Sequence, residues 1–210
     1  MQRIELLNID CMEYMATQPD NAFDLAIVDP PYGIDAANMT MGKGSGNDTG
    51  AHKKRDWDKR IPPAAYFDEL RRVSTNQIIW GGNYFLDHLG NTRCMLMWDK
   101  KDYNSDFADG ELAWTSFDMN TKIFQRARSA QGDSNGKIHP TQKPVKLYDW
   151  LLANYAFKDA RVIDTHLGSG SSAIAAHYFG CDFVGCELDE DYYKAAKERF
   201  NLATSQGALF

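Results

Sequence analysis

Asp29-Pro30-Pro31-Tyr32 closes the apolar run Asp24-Leu25-Ala26-Ile27-Val28 and brings together groups suited to chemistry on a planar ring. Asp29 and Pro30 each precede a proline, which pushes both toward extended backbone. The prolines carry no N–H, so nothing here continues a ladder by donating. The tetrapeptide is therefore a stiff shelf at the carboxyl end of a buried strand. It offers a carboxylate, exposed carbonyl oxygens and the flat face of Tyr32. Two acceptors on such a shelf take the two hydrogens of an exocyclic amino group while the aromatic stacks on the ring. The blander reading is a strand that merely turns through Pro-Pro.

A second constellation lies near the other end of the chain. Arg161-Val162-Ile163-Asp164 reads as a strand, Thr165-His166-Leu167-Gly168-Ser169-Gly170 as a tight turn, Ser171 to about Phe179 as a helix, and Phe183 to Glu187 as a further strand. Strand, glycine turn, helix, strand and acid make a nucleotide-binding βαβ unit. Gly168 and Gly170 let the backbone pass close to a ligand. Glu187 falls nineteen residues after Gly168, the spacing of an acid that grips both ribose hydroxyls. The turn is not G-x-G-x-x-G, which argues against pyrophosphate. Asp164, at its strand end, can accept from a ligand ammonium. Carboxyl ends of strands share one rim in an open α/β sheet. An adenosine-type cofactor at one site and an amino-bearing ring at the other then imply group transfer.

The elements that must position these groups follow from periodicity. Ile4 to Ile9, Asn76 to Trp80, Cys94 to Trp98, Glu111 to Thr115 and Lys122 to Gln125 predict strands. Helices are predicted over Cys11 to Thr17, from Pro62-Pro63 to about Ser74, over Asn83 to Leu89, from Thr141 to about Tyr155, and from Asp189 to about Leu202. Acids open the last helix, where its dipole favours them. Strands alternating with helices imply a mostly parallel sheet covered on both faces. Residues 34–60 differ in kind: the glycine-rich stretch Met41 to Gly50 precedes the basic run His52 to Arg60. A loop this long in a compact domain is a functional lid or disordered. Lys53, Lys54 and Arg55 with the aromatic Trp57 suit phosphate contact; a solvated charged linker is the alternative.

Bulk properties bound the rest. The 210 residues fit one domain, 1–210, with a core that needs no staples. Four cysteines without a C-x-x-C pair read as reduced thiols in a cytoplasmic protein. The five histidines are scattered and predict no metal site. No apolar run is long enough for a membrane span, and Met1-Gln2-Arg3-Ile4-Glu5 does not read as a signal peptide. The net charge of −6 argues weakly against a nucleic-acid binder over the whole surface, but clustering matters more than the sum.

These motifs resemble those of S-adenosylmethionine-dependent DNA amino-methyltransferases. Asp29-Pro30-Pro31-Tyr32 is similar to that family's catalytic tetrapeptide, Asp164 to Gly170 to its cofactor motif, and His139-Pro140-Thr141-Gln142-Lys143-Pro144 to the motif that precedes it. The catalytic block comes first and the cofactor block last, the order of the beta group. Gln77 to Phe85, Trp98-Asp99-Lys100 and Glu111 to Trp114 are similar to small phage-encoded adenine methylases. The resemblance spans nearly the whole chain. It implies a Rossmann-like class I methyltransferase fold, circularly permuted, with a mostly parallel seven-stranded sheet and one antiparallel strand. It implies DNA as partner, S-adenosylmethionine as cofactor (S-adenosylhomocysteine as product), and a bacterial or phage-infected cell in which restriction-modification is one setting. A homodimer is left open.

Residue by residue, the resemblance makes Asp29, Pro30, Pro31 and Tyr32 catalytic. It assigns Asp164, His166, Gly168, Ser169, Gly170, Glu187, Thr141 and Lys143 to the cofactor, Lys143 toward its carboxylate or else toward solvent. In the permuted order the last helix leads back to the first strand, so Asp10 becomes a candidate for the adenine amino group, with a helix N-cap as its equal alternative. Arg126, Arg128 and Lys137 join Lys53, Lys54 and Arg55 as phosphate contacts, and Trp57 as a wedge into the gap a flipped base leaves. Two departures matter. Thr165 and His166 stand where the family usually has Pro and Phe. The stretch 111–138, the target-recognition region, is short. Aspartate at the head of the tetrapeptide favours adenine N6; cytosine N4, RNA, a protein amide and a non-catalytic module are the rivals.

Overall fold

The computed structural model of the protein describes residues 2–35, 58–103, 108–127, 138–139 and 141–205. Alternation of side chains builds its sheet. In β2, Phe23–Val28, Leu25 and Ile27 enter one hydrophobic layer while Ala26 and Val28 enter the other. A strand buried on both faces reads as the continuous apolar run seen in the sequence. The remaining strands are β1 (Ile4–Asn8), β3 (Ser74–Trp80), β4 (Met95–Asp99), β5 (Gly110–Thr115), β6 (Lys122–Gln125), β7 (Arg161–Asp164) and β8 (Asp182–Glu187). The helices are α1 (Cys11–Ala16), α2 (Ala64–Val73), α3 (Leu86–Leu89), α4 (Val145–Tyr155), α5 (Ser171–Phe179) and α6 (Glu190–Ser205).

The sheet order is β1-β8-β7-β2-β3-β5-β4-β6. β5 runs antiparallel to both of its neighbours, and every other pair is parallel. The described residues thus hold eight strands, not the seven that the resemblance implies. The eighth is β6, which the local pattern predicts and which adds to the free side of β4. β1 pairs with β8, with Asn8 opposite Glu187, so the two ends of the chain meet as the permuted order requires.

Two helical layers cover the sheet. Leu147, Leu151 and Leu152 of α4 and Ala173, Ala175 and Ala176 of α5 pack on one face. Met15 of α1, Leu89 of α3 and Tyr66, Phe67, Leu70 and Val73 of α2 pack on the other. No side chain caps the N-terminus of α2. Its buried stripe holds it instead, at roughly 1.5–3 kcal/mol for each large apolar side chain.

Local differences from the expected boundaries have backbone causes. α4 starts at Val145 rather than Thr141, because Pro144 sits extended at its N-cap (φ −69°, ψ 144°) and disfavours helix at the residue before it. Residues 141–144 are therefore free to cross toward β2. The expected helix Asn83 to Leu89 is split into a 3-10 turn, Gly82–Tyr84, and α3, after Gly81 takes φ +69°.

β2 and β7 are neighbours, with Ala26 opposite Ile163. From this pair the chain order runs outward in opposite directions. That is the switch point of an open α/β sheet, where ligands bind beyond the carboxyl ends. Asp29 follows one of these strands and Asp164 ends the other. Of the loop 34–60, residues 34–35 and 58–60 are described; of the stretch 111–138, residues 111–127 and 138 are.

Candidate active site

The shelf beyond β2 is held from three sides. The Tyr32 hydroxyl donates to Oδ1 of Asp29 at 2.5 Å. Lys143 Nζ donates to Oδ2 of Asp29 at 2.5 Å. The backbone N–H groups of Tyr32 and Gly33 donate to Oδ1 of Asp58 at 2.6 and 2.9 Å. The Tyr32 ring stacks on Tyr84, with centroids 5.0 Å apart and 15° between planes. A Cβ on Gly81 would fall 2.1 Å from Cε1 of Tyr32, so only glycine lets the ring lie there.

Behind Asp29 runs a chain of alternating charges. Lys143, 3% exposed, also pairs with Glu111 at 2.9 Å. Lys100 pairs with the other oxygen of Glu111 at 2.7 Å. Burial pushes the Asp29 carboxyl up, and the neighbouring Lys143 ammonium offsets only part of that rise. Burial opposes the charge on Lys143, but Asp29 and Glu111 outweigh it and raise its pKa. Burial works on Glu111 too, yet Lys143 and Lys100 prevail and hold it at about 2. Burial, followed by the charge of Asp29, puts the Tyr32 hydroxyl well above its usual range, so it stays a donor.

The second half of the site is the turn after β7. Asp164 is buried and accepts from Ser172 Oγ at 2.6 Å and from the His166 N–H at 3.0 Å. Burial pushes its carboxyl up to about 7. Gly168 and Gly170 take φ +51° and +72°, a region open to glycine at little cost. Glu187 accepts from the Gly168 N–H at 2.9 Å through Oε2 and from the Asp189 N–H at 3.0 Å through Oε1. Its carboxylate is thereby fixed at the lip of the turn, with lone pairs left over for ribose hydroxyls. Arg199 of α6 donates to the Ser169 carbonyl at 2.7 Å and to Ser171 Oγ at 2.9 Å, clamping the turn from behind.

His166 lies edge-on to Tyr66, centroids 5.5 Å apart, and its Nδ1 is 2.9 Å from Thr165 Oγ1. The same hydroxyl shares a 2.6 Å hydrogen bond with Tyr66. Burial lowers the imidazole to about 4, so it is neutral at pH 7. His139 packs on Tyr192, centroids 4.4 Å apart, and its Nδ1 lies 3.1 Å from Thr141 Oγ1.

Both halves open into one cavity of about 800 Å³. Asp29 and Pro31 line it together with Asp10, Thr141, Lys143, His166, Gly168, Ser169 and Glu187. Its volume and lining fit a nucleoside-bearing cofactor of adenosine size, with Asp10, Asp29 and Glu187 among its acids and aromatic and apolar walls from Tyr66, Ile61 and Leu188. Asp10 shows both of its readings: it caps α1 by accepting from the Met12 N–H at 2.7 Å, and it also lines the cavity.

Asp164 and Lys143 sit otherwise than expected. Asp164, expected to meet a ligand ammonium, is buried with its oxygens held by Ser172 and the His166 N–H, and it does not line the cavity. Lys143, expected at the cofactor carboxylate or in solvent, is buried with its ammonium held by Asp29 and Glu111. The cause is Pro144, which delays α4 and carries residue 143 across to the shelf. Arg126 sits just past β6, where its N–H donates to Asp99 and its carbonyl accepts from the Trp98 indole. It is on the same rim but is not part of the cavity lining. Lys53, Lys54, Arg55, Trp57, Arg128 and Lys137 lie outside the described residues. Sequence reasoning missed Asp58, Glu111, Lys100 and Arg199 as parts of the site. Glu111 and Lys100 fell within quoted motifs but carried no role; nothing local marked the other two.

A family model of DNA methylases matches residues 76–198 of the chain. YubD of Escherichia coli (strain K12) is 27% identical over 222 residues, which span 95% of this chain and 90% of that protein. Type II methyltransferase M2.MboI of Moraxella bovis is 21% identical over 239 residues, spanning 93% and 86%. The crystal structure of M1.HpyAVI in complex with SAM shares the fold with a TM-score of 0.63 at 17% identity, covering 94% of this chain and 99% of that one. The PvuII DNA methyltransferase, cytosine-N4-specific, shares it with a TM-score of 0.63 at 13% identity, covering 98% and 93%.

Proposed function

The chain belongs to the DNA methylase family, whose members act on amino nitrogens of bases, and from that premise we propose that it methylates the N6 amino group of adenine in DNA, with S-adenosylmethionine as donor. One observation carries the reading: Asp29 of the shelf and Glu187 at the end of β8 line the same cavity. A donor gripped by one can therefore present its methyl group to an amine held by the other.

When bound, the cofactor supplies a methyl group made electrophilic by its sulfonium. The rest is positioning. Glu187 takes the ribose hydroxyls and Asp10 the adenine amino group, while His166 and Tyr66 pack beside them; Asp164, held by Ser172 and the His166 N–H, shapes the turn from beneath. Asp29 accepts one N–H of the target amine and the Pro30 carbonyl the other. This draws the nitrogen toward a tetrahedral shape with an available lone pair. Asp29 need not remove a proton first, because the proton leaves once the nitrogen carries positive charge. Tyr32 offers its ring to a base flipped from the duplex, since the amine cannot be reached within the stack. Tyr84 is the aromatic already stacked on that ring. Lys53, Lys54, Arg55, Arg126, Arg128 and Lys137 contact phosphates, and Trp57 fills the space the base leaves.

Adenine is favoured over cytosine because the tetrapeptide opens with aspartate; the similar cytosine-N4 motif more often opens with serine. Nucleoside analysis of DNA incubated with the protein and S-adenosylmethionine tests this. N6-methyladenine is the expected product, and N4-methylcytosine would overturn the choice of base. Competition between duplex DNA and RNA tests the polymer, and preferential methylation of RNA would overturn that part.

A further inference from the structure

Both oxygens of Asp29 are engaged, but by groups of different kind. Oδ1 accepts from a neutral hydroxyl, that of Tyr32, and Oδ2 from an ammonium, that of Lys143. Lys143 is firmly seated. Its own carbonyl accepts from Ser171 Oγ at 2.8 Å, Pro144 follows it, and its Nζ lies 5.5 Å from the Trp80 ring centroid and 5.8 Å from that of Tyr32. Glu111 holds the ammonium from the other side, and Lys100 balances Glu111.

We infer that Lys143 is a positioning residue for the transfer: it occupies Oδ2 of Asp29 as a fixed counterion and so makes Oδ1 the oxygen that receives the target amine. The inference rests on the amine-methylating reading of the site. An incoming N–H at Oδ1 displaces only the proton of a neutral hydroxyl, whose oxygen Lys143 Nζ still holds at 3.3 Å. An incoming N–H at Oδ2 would have to displace a buried cation. The amine lone pair forms the bond to the methyl carbon, the carbon–sulfur bond breaks with its electron pair left on sulfur, and the nitrogen becomes cationic. One N–H proton then passes to Oδ1 of Asp29 and on to solvent. Asp29 takes that proton only after transfer, because any carboxylate is far too weak a base for the neutral amine.

The groups that act on Asp29 are Lys143 from the segment before α4, Glu111 from β5 and Tyr32 from the shelf itself, with Tyr148 of α4 and Asp164 of β7 more remote. Lys143 and Glu111 bear opposite charges, so their removal should move Asp29 in opposite directions. The full-length Lys143→Met and Glu111→Gln variants are compared with wild type in two ways. One is the pH profile of single-turnover methylation of duplex DNA; the other is the 13C titration of the Asp29 carboxyl without DNA. For Lys143→Met, the acid limb and the carboxyl titration should both rise by roughly one to three pH units, the effect of losing an opposite charge at this range. For Glu111→Gln, both should fall. Titrations that stay in place, or that move the same way in both variants, would overturn the inference. If Lys143→Met does not fold, the downward shift in Glu111→Gln decides alone. If wild type methylates no DNA, the enzymatic reading fails, while the carboxyl titration still reports whether Lys143 controls Asp29.

Discussion

Oδ1 of Asp58 accepts the backbone N–H of Tyr32 at 2.6 Å across 26 residues of chain. The far end of the long loop after the shelf is therefore tied directly to the shelf. Asp58 is 1% exposed, and its Oδ1 also accepts the Gly33 N–H. Asp58→Ala leaves those two N–H groups without this acceptor. The expected cost is about 1–3 kcal/mol of stability, read by urea denaturation. Displacement of Tyr32 should slow single-turnover methylation by about ten- to a hundredfold. Asp58 is absent from the cavity lining, so calorimetric affinity for S-adenosylmethionine should stay unchanged.

Gly81 makes a sharper test of the Tyr32 ring position. It combines φ +69° with a Cβ direction that runs into the ring. Gly81→Ala must shift the ring, the backbone or both, and a shifted ring loses its stack on Tyr84. We expect DNA affinity and turnover to fall together, with cofactor affinity retained. A DNA containing 2-aminopurine at the target adenine reports the flipped base directly. Fluorescence enhancement equal to that of wild type would show that Tyr32 does not hold it.

The two halves of the cavity should separate under mutation. Asp29→Ala removes the amine acceptor and should abolish transfer while cofactor binding persists, because Glu111 remains as counterion to Lys143. Glu187→Ala removes the pinned carboxylate at the turn and should weaken cofactor binding by about 1.5–3 kcal/mol, the worth of hydrogen bonds to a charged group. Calorimetry on both variants checks the division. Equal loss of cofactor affinity in the two would contradict it.

The parts of this site that could be read from residue order are those whose chemistry is local. Asp29-Pro30-Pro31-Tyr32 ends an unbroken apolar run, and Gly168, Gly170 and Glu187 keep a spacing imposed by one βαβ unit. Their common cavity followed from topology, since β2 and β7 are adjacent. What was not legible depends on long-range pairing. Lys143 read as a contact to the cofactor carboxylate or as a solvated charge until the fold placed Asp29 and Glu111 around it. Asp58 sits inside the charged run His52 to Arg60, where nothing in residue order marks one acid as buried. Arg199 belongs to a helix rich in surface charge, and only the packing of α6 on the turn brings its guanidinium to Ser169.

His166 and Asp164 give the cofactor half an unusual pH dependence. Burial holds the His166 imidazole at about 4, against an ordinary value of 6.5. Between those values the unfolded chain binds a proton that the folded protein refuses, so this residue's contribution falls as pH drops through the window. Asp164 acts in the opposite sense. Its carboxyl is raised to about 7 by burial, so the folded protein keeps a proton that the unfolded chain loses near about 4. That contribution falls as pH rises from about 4 to about 7. The two slopes oppose one another wherever both operate, and His166→Phe removes only one. An apolar ring beside Tyr66 also matches the residue usual at this place in the resembling family. Loss of the hydrogen bond to Thr165 gives an offset that does not depend on pH. Relative to wild type, the variant should therefore gain about 2 kcal/mol on going from pH 7 to pH 5. Urea denaturation of both proteins at the two pH values measures this difference. A stability difference that stays constant with pH would mean that His166 takes up its proton as readily in the folded protein as in the unfolded chain.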